Sequence, residues 1–472
     1  MLVDKHAGET LKCVDEQVYE IIEPAPPRTL DGTEYHAGLL DALEEADGEV
    51  YRLIGAEYNR QQSTLPLIAA ENQCSRAVLA ALGSVVQNKT TEGFVGARFH
   101  GGCQVVDSLE ALAVARARET FNACYANVQP HSGTSANQIV LTAILEGGDR
   151  ILSLGMDQGG HVSHGARVSF AGRFFEVENY HVDPDSFLLD YDAIRRQARR
   201  FRPKLIVCGA SAYSRIIDFA EFRAIADEVG AYLMADISHI SGLVVAGAHP
   251  SPVDHAHFTT TSTYKPGGPR GGLILMGKDY ESPIQAGKRA VPLWERIEKT
   301  TFPGFQGTPY LNNVAAKAVF LKETLSDEYR RRQFKIVENA RTLAREFVGL
   351  GYDVLTGGTD NHMFLVNVAH FRKGLTGLIV QKCLEDCGII VNMNRLPYDP
   401  HSARVTSGMR LGTPIVTRNG MGPAEMEIVS RLVDGVLTQV EIGDESRYRL
   451  TESLKNDTTA RVRELCAKFP MW

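Results

Sequence analysis

Lys265 stands behind a run of β-branched residues, Thr259-Thr-Thr-Ser-Thr263, and ahead of a turn-forming cluster, Pro266-Gly-Gly-Pro-Arg-Gly-Gly272. The threonines suit a strand and the Pro/Gly cluster forces an irregular turn, so one ammonium sits at a strand end in a stiff loop. A lysine desolvated and aimed in this way forms Schiff bases with carbonyl compounds. The same placement also suits a phosphate-binding or surface lysine, and this segment alone does not choose between them. Asp236 closes the apolar run Tyr232–Ala235, with His239 one turn further on. A carboxylate at a buried strand end is costly unless it meets a positive partner. A protonated pyridine nitrogen is such a partner, and an Asp beside a Schiff-base Lys on neighbouring strand ends is the pattern expected around pyridoxal phosphate. Asp-x-x-His is also half a metal site, but no third ligand stands at a convincing spacing, so no metal is expected.

Two further segments fit the first reading. His131-Ser-Gly-Thr-Ser-Ala-Asn137 joins a strand to a helix, and its small residues expose backbone N–H groups and hydroxyls at a helix N-terminus. That is an anion site for a phosphate, although a Ser/Thr N-cap explains part of it. Gly159-Gly160-His161 follows another strand, where glycines let a histidine ring approach a flat ligand.

The elements that must hold these residues alternate from about Leu109 onward. Strands are expected at Ala126–Pro130, Ile151–Leu154, Leu205–Cys208, Tyr232–Ala235, Phe258–Thr263 and Leu273–Met276. Helices are expected at Asn137–Leu145, Tyr191–Arg200 and Ala220–Val229. Such alternation predicts a parallel or mixed sheet with helices on both faces, and in such sheets functional residues gather beyond the carboxyl ends of the strands. From about Asn312 a long helical stretch to Leu350, short strands (Tyr352–Leu355, Met363–Val368), a helix near Leu378–Cys387 and a C-terminal helix read as a smaller α+β domain. Ahead of the sheet lie an extended, Pro-containing arm (residues 1 to about 35) and a helix from near Asp47 to Gln62. The expected division is 1–92, 93–318 and 319–472.

Composition excludes some classes. A net charge of −7 over 472 residues gives no sign of a nucleic-acid partner. No apolar run nears the roughly 20 residues of a membrane span, and Met1–Glu20 lacks an apolar signal core, so a cytoplasmic location is expected. The eight cysteines include no CxxC pair and read as buried, reduced thiols.

Taken together, from about Leu67 to the C-terminus, the chain resembles serine hydroxymethyltransferase, a fold-type-I pyridoxal phosphate enzyme with a large mixed-sheet domain and a smaller C-terminal α+β domain. The segments that carry the likeness are Leu67-Ile-Ala-Ala-Glu-Asn72, Asn88-Lys-Thr-Thr-Glu-Gly-Phe-Val-Gly-Ala-Arg-Phe-His-Gly-Gly102, Gln129-Pro-His-Ser-Gly133, Gly159-Gly-His-Val-Ser-His164, Ser211-Ala-Tyr-Ser214, the lysine segment and Thr406-Ser-Gly-Met-Arg-Leu-Gly-Thr-Pro414. The resemblance implies that Lys265 carries the cofactor, Asp236 pairs with its pyridine nitrogen and His161 stacks on its ring. It places His239 and Ser211 near the phenolic oxygen, and Ser132, Gly133, Thr134 and Ser262 around the phosphate, with Gly307 supplied by a partner subunit. Arg410 would clamp the substrate carboxylate. Glu92 would be the acid/base near the hydroxymethyl group and tetrahydrofolate, the co-substrate, with Phe99 and Asn394 also toward the folate. Because the Glu92 segment of this family reaches the neighbouring subunit's site, a homodimer or dimer of dimers with shared sites is implied.

Four departures from the family pattern cluster at the substrate: Ala70 for Ser, Thr90 for Tyr, His100 for Tyr and Tyr264 for His. Phe99 also replaces a Tyr but keeps a flat face. Loss of a phenol at position 90 opens the wall beside the substrate's Cα. The chain therefore looks most like the branch that handles 2-methylserine and D-alanine with tetrahydrofolate, His100 being a second candidate for proton handling. The alternatives are a folate-independent 2-methylserine aldolase, an ordinary serine/glycine enzyme and, from another class, a catalytically silent scaffold or RNA-binding relative.

Overall fold

In the computed structural model, residues 32–471 are described, with side chains from residue 38. The expected extended arm lies almost entirely outside that range. Helix α1, Gly32–Ala46, takes its last few positions, and α2, Gly48–Ser63, follows, with the Asp47 side chain accepting the N–H groups of Glu49 and Val50. Helix α3 is Gln104–Phe121 and α4 is Gly133–Ile144.

The large sheet has seven strands: β1 Tyr125–Asn127, β2 Arg150–Leu154, β3 Glu176–Tyr180, β4 Leu205–Cys208, β5 Tyr232–Asp236, β6 Phe258–Ser262 and β7 Gly272–Met276. Their spatial order is β1-β7-β6-β5-β4-β2-β3. β2 to β6 pair in parallel, and β7 runs antiparallel to β6 and β1. The central strands are continuous apolar or β-branched runs because helices cover both faces; β4, β6 and β7 are buried along their whole lengths. Helices α5 (Tyr191–Phe201) and α6 (Phe219–Val229) lie side by side, with Arg195 and Arg199 of α5 pairing with Glu221 and Glu228 of α6.

The expected long helix at 312–350 is two: α7, Leu311–Thr324, and α8, Asp327–Gly349. Ser326 breaks it by accepting the Tyr329 N–H as an N-cap. A four-stranded antiparallel sheet follows, in the order β8-β9-β11-β10, from β8 Asp353–Val354, β9 Met363–Asn367, β10 Asn392–Asn394 and β11 Gly408–Gly412. Helices α9 (Gly377–Asp386), α10 (Pro423–Gln439) and α11 (Glu452–Lys468) pack around it. Among the described residues no helix is long and apolar enough to cross a membrane. Six described cysteines are free thiols, five of them buried.

Candidate active site

β1, β2, β4, β5 and β6 all point their carboxyl ends to one edge of the large sheet, and β7 begins there. That edge gathers the turn at Ser132, the loop at His161, Ser211, Asp236 and the loop at Lys265. β11 of the second sheet brings Arg410 to the same place, where its Nη1 donates to the Ser211 carbonyl at 2.7 Å.

Asp236 is 7% exposed and its carboxylate is held on both oxygens. Oδ1 accepts the Ser238 N–H at 2.9 Å, while Oδ2 receives Asn137 Nδ2 at 2.8 Å and faces His164 Nε2 at 2.9 Å. Burial alone would raise its pKa. The His164 hydrogen bond and charge, then His161 and Asn137, outweigh burial and hold the carboxyl well below the usual carboxylate range. The ligand atoms of His161, His164 and Asp236 lie within 4.8 Å of one another. Oδ2 already faces two nitrogens, an arrangement suited to binding N–H groups. His161 Nδ1 contacts Ser163 Oγ at 2.7 Å. Burial, opposed by Asp236, brings the His161 pKa down to about 4, so at neutral pH the ring is uncharged and suited to stacking.

At the lysine, Nζ donates to Ser262 Oγ at 3.2 Å and lies 4.7 Å from the Tyr264 ring centroid. The Lys265 carbonyl accepts from Asn72 Nδ2 at 3.0 Å. That contact brings the Ala70 segment alongside the lysine, and Ala69 packs on Gly412, two residues after Arg410. Helix α4 starts four residues earlier than expected because Ser132 is its N-cap, accepting the Ser135 N–H at 3.0 Å. Gly133 is pressed onto Ser262 and Ser238: a Cβ there would stand 3.2 Å from the Ser262 backbone nitrogen. The first turn, Gly133 and Thr134, thus starts beside Ser262, and a helix N-terminus flanked by hydroxyls suits a phosphate. A desolvated carboxylate, a neutral imidazole, a lysine amine and this helix start converge, and the donor set fits pyridoxal phosphate.

Arg410 is deeply placed, and burial pulls its pKa down to about 10 against the pull of Tyr264. Nε donates to Asn392 Oδ1 at 3.2 Å, and Nη2 has no hydrogen-bond partner among the described residues, so part of the fork is open to a carboxylate. Asn394 lies two residues along β10 from Asn392, with its Nδ2 on the Arg395 carbonyl. His239 Nδ1 lies 3.4 Å from His362 Nε2, and burial, then Lys265 and Arg410, keep His239 well below the ordinary histidine range. A groove of about 800 Å³ lined by Phe187, Tyr213, Arg215 and Asp360 lies apart from the lysine.

The remaining expected residues form a second group. Thr90, Phe99 and His100 are exposed, Phe99 by 74%, and Glu92 is half-buried at the start of a hairpin, Gly93–Phe94 with Ala97–Arg98. A Cβ on Gly307 would stand 3.7 Å from Glu92 Oε1, so these two lie together. No hydrogen bond or ring contact among the described residues joins this group to Lys265. The hairpin is clamped from below: Arg98 pairs with Glu110 at 2.6 Å and Asp107 at 2.7 Å, and Arg98 and Gln129 both donate to the Gly93 carbonyl.

Sequence reading assigned no role to His164, Asn137, Asn392 or His362. His164 and Asn137 sit inside quoted motifs, where a second polar side chain at helix or loop spacing from His161 and Ser132 was the available signal. The other two had none.

A family model described as serine hydroxymethyltransferase matches residues 43–433. A protein of Methanosarcina barkeri (strain Fusaro) named serine hydroxymethyltransferase is 44% identical over 431 residues, covering 91% of this chain and 99% of the relative.

Proposed function

The chain belongs to the serine hydroxymethyltransferase family, fold-type-I enzymes that use pyridoxal phosphate with tetrahydrofolate as co-substrate, and we propose that its amino-acid pair is 2-methylserine and D-alanine. What supports this is that all four departures fall at positions the family resemblance assigns to the substrate, two beside the lysine and two on the hairpin that a second subunit would deliver. Tyr264 lies beside Lys265 and Arg410, Ala70 stands two residues before Asn72, which donates to the Lys265 carbonyl, and Thr90 and His100 flank the Glu92 hairpin. In a site fitted to glycine, an added methyl on Cα overpacks by about 1–3 kcal/mol. That is the scale of the roughly 10- to 200-fold selection a pocket makes over one methyl-sized group. A wall of Thr instead of Tyr turns the penalty into a contact.

When bound, pyridoxal phosphate supplies an electron sink for the pair released as Cα–Cβ breaks. The protein does the rest. Arg410 would hold the substrate carboxylate and Asp236 would keep a proton on the pyridine nitrogen, with His164 and Asn137 fixing the Asp236 carboxylate in place. The neutral His161 would stack on the ring. Lys265 Nζ, held by Ser262 Oγ, would be the amine that carries the cofactor. Glu92, delivered by its hairpin together with Gly307 from a second subunit, handles the proton of the hydroxymethyl group beside the folate, and His100 lies close in sequence for the same task.

Serine and glycine are the second reading, favoured by the 44% identity to the Methanosarcina protein named for serine. Incubation with 2-methyl-L-serine or L-serine, with and without tetrahydrofolate, decides. D-Alanine formed only with folate is expected. Its formation without folate means an aldolase, and turnover confined to serine and glycine sinks the proposal.

A further inference from the structure

A buried charge behind the phosphate turn has no place in the chemistry above. Lys317 sits in α7 within Asn312-Asn-Val-Ala-Ala-Lys-Ala-Val-Phe320 and is 1% exposed. An ammonium so placed is costly unless all its protons are met, and here they are. Nζ donates to the carbonyls of Val128 at 2.6 Å, Gly272 at 2.9 Å and Pro130 at 3.0 Å.

Those carbonyls come from two parts of the site. Val128 and Pro130 leave β1 and lead into the Ser132–Gly133 turn, whereas Gly272 opens β7 at the far end of the loop that starts at Lys265. The backbone is thinned to admit the side chain: a Cβ on Gly271 would collide with Lys317 Cε, and one on Gly272 with the Ser132 carbonyl. The Gly272 N–H also donates to the Pro130 carbonyl at 3.0 Å. Lys317 therefore ties the phosphate turn to the lysine loop through one three-pronged cation.

No carboxylate forms an ion pair with Lys317 among the described residues. The titratable groups facing it are Glu110, already paired with Arg98, and His131, which burial keeps uncharged. A positive charge in a low-dielectric setting without a close counter-charge favours an anion nearby.

We propose that Lys317 is a positioning residue for the cofactor's phosphate, fixing the Pro130–Gly133 turn against Gly272 and supplying the buried charge that a phosphate dianion at the start of α4 offsets. The proposal rests on the pyridoxal phosphate reading of the site. The test compares the affinity of the apoprotein for pyridoxal phosphate and for pyridoxal, which lacks the phosphate, from the absorbance of the lysine adduct, in wild type, Lys317→Met and Lys317→Gln. Both variants should lose about tenfold or more in pyridoxal phosphate affinity, which corresponds to about 1.4 kcal/mol. Their pyridoxal affinity should stay within about threefold of wild type. Unchanged pyridoxal phosphate affinity, or equal losses for both ligands, overturns the proposal. A wild type that binds neither ligand overturns the cofactor reading instead.

Wild-type protein gives a measurement that needs no folded variant. Burial lowers the Lys317 pKa to about 7, opposed by Glu110. The preference for pyridoxal phosphate over pyridoxal should therefore fall as pH rises from about 7 to 9.5, above the phosphate's own second ionisation near 6, and a flat ratio counts against Lys317.

Discussion

Asp236→Asn changes almost no volume, so its effect isolates the hydrogen bonding and the charge. The wild-type carboxylate meets Ser238 N–H on Oδ1 and Asn137 Nδ2 and His164 Nε2 on Oδ2. An asparagine has one oxygen for both places. With its oxygen toward Ser238, its amide nitrogen faces Asn137 Nδ2. Asn137 cannot turn over without losing the hydroxyl of Thr260, which donates to Asn137 Oδ1 at 2.6 Å. With its oxygen toward Asn137, the new amide nitrogen faces the Ser238 N–H. Each orientation leaves a buried donor against a donor, which costs about 1–3 kcal/mol. Urea unfolding of the apoprotein at pH 7 should show that loss. A second loss appears only in the loaded enzyme, because a hydrogen bond to a charged group contributes about 1.5–3 kcal/mol. At 1.36 kcal/mol per decade that is roughly a 10- to 200-fold fall in the rate of hydroxymethyl transfer. Apoprotein stability within about 0.5 kcal/mol of wild type, or transfer within about threefold, would refute the reasoning.

Thr90→Tyr should reduce D-alanine use by about 10- to 200-fold and glycine use far less; equal losses in steady-state assays argue against the pocket. Arg98→Met strands Glu110, which is 2% exposed, without its cation and removes a donor from Gly93; a loss of about 3–5 kcal/mol is expected by denaturant titration. Burial brings His161 to about 4 and His362 to about 3, so between those values and about 6.5 the unfolded chain binds more protons than the folded one, and stability falls with falling pH through that window. Paired melts of wild type and His362→Asn from pH 7 to 4 should show a shallower acid slope in the variant. Glu298 behaves in the opposite sense: burial, then Glu110 and Glu295, raise its carboxyl to about 7, so its contribution to stability declines as pH climbs from about 4.5 to 7, and Glu298→Gln should flatten that decline.

The strands that end at the site were legible because their burial is written in their residues. Leu205–Cys208 was located to the residue, and Tyr232–Ala235 lacked only its functional end, Asp236. β3, Glu-Val-Glu-Asn-Tyr, was missed because an edge strand is half solvated and its polar residues carry no apolar signal. β11 was missed for another reason: Gly408-Met-Arg-Leu-Gly412 is bracketed by glycines, one of which must admit Leu396 and the other Ala69. Arg410 was found through its motif and not through its strand. Lys317 had a visible signal, a single lysine in an apolar helical run, but only the three carbonyls around it show what it does.

The proposed roles separate the residues that would hold the cofactor from those that would select the substrate. Asp236 and Ser262 are buried at strand ends, and Ser132 and Lys265 stand beside them at a helix start and in the following loop, where Gly133 is already pressed onto Ser262. Thr90 and His100 flank a short hairpin whose registry rests on Arg98, Gln129 and Glu110. A substitution at position 90 changes the substrate wall without moving any donor to Asp236 or Ser262. An exchange of Arg98 would move the whole wall and Glu92 with it, so it should cost turnover for every amino-acid substrate alike. Position 90 should therefore alter selectivity at nearly constant cofactor affinity, whereas position 317 should alter cofactor affinity at constant selectivity. Thr90→Tyr combined with Lys317→Gln should then show effects that add within about 0.5 kcal/mol, and a larger coupling would mean that the two layers are not independent.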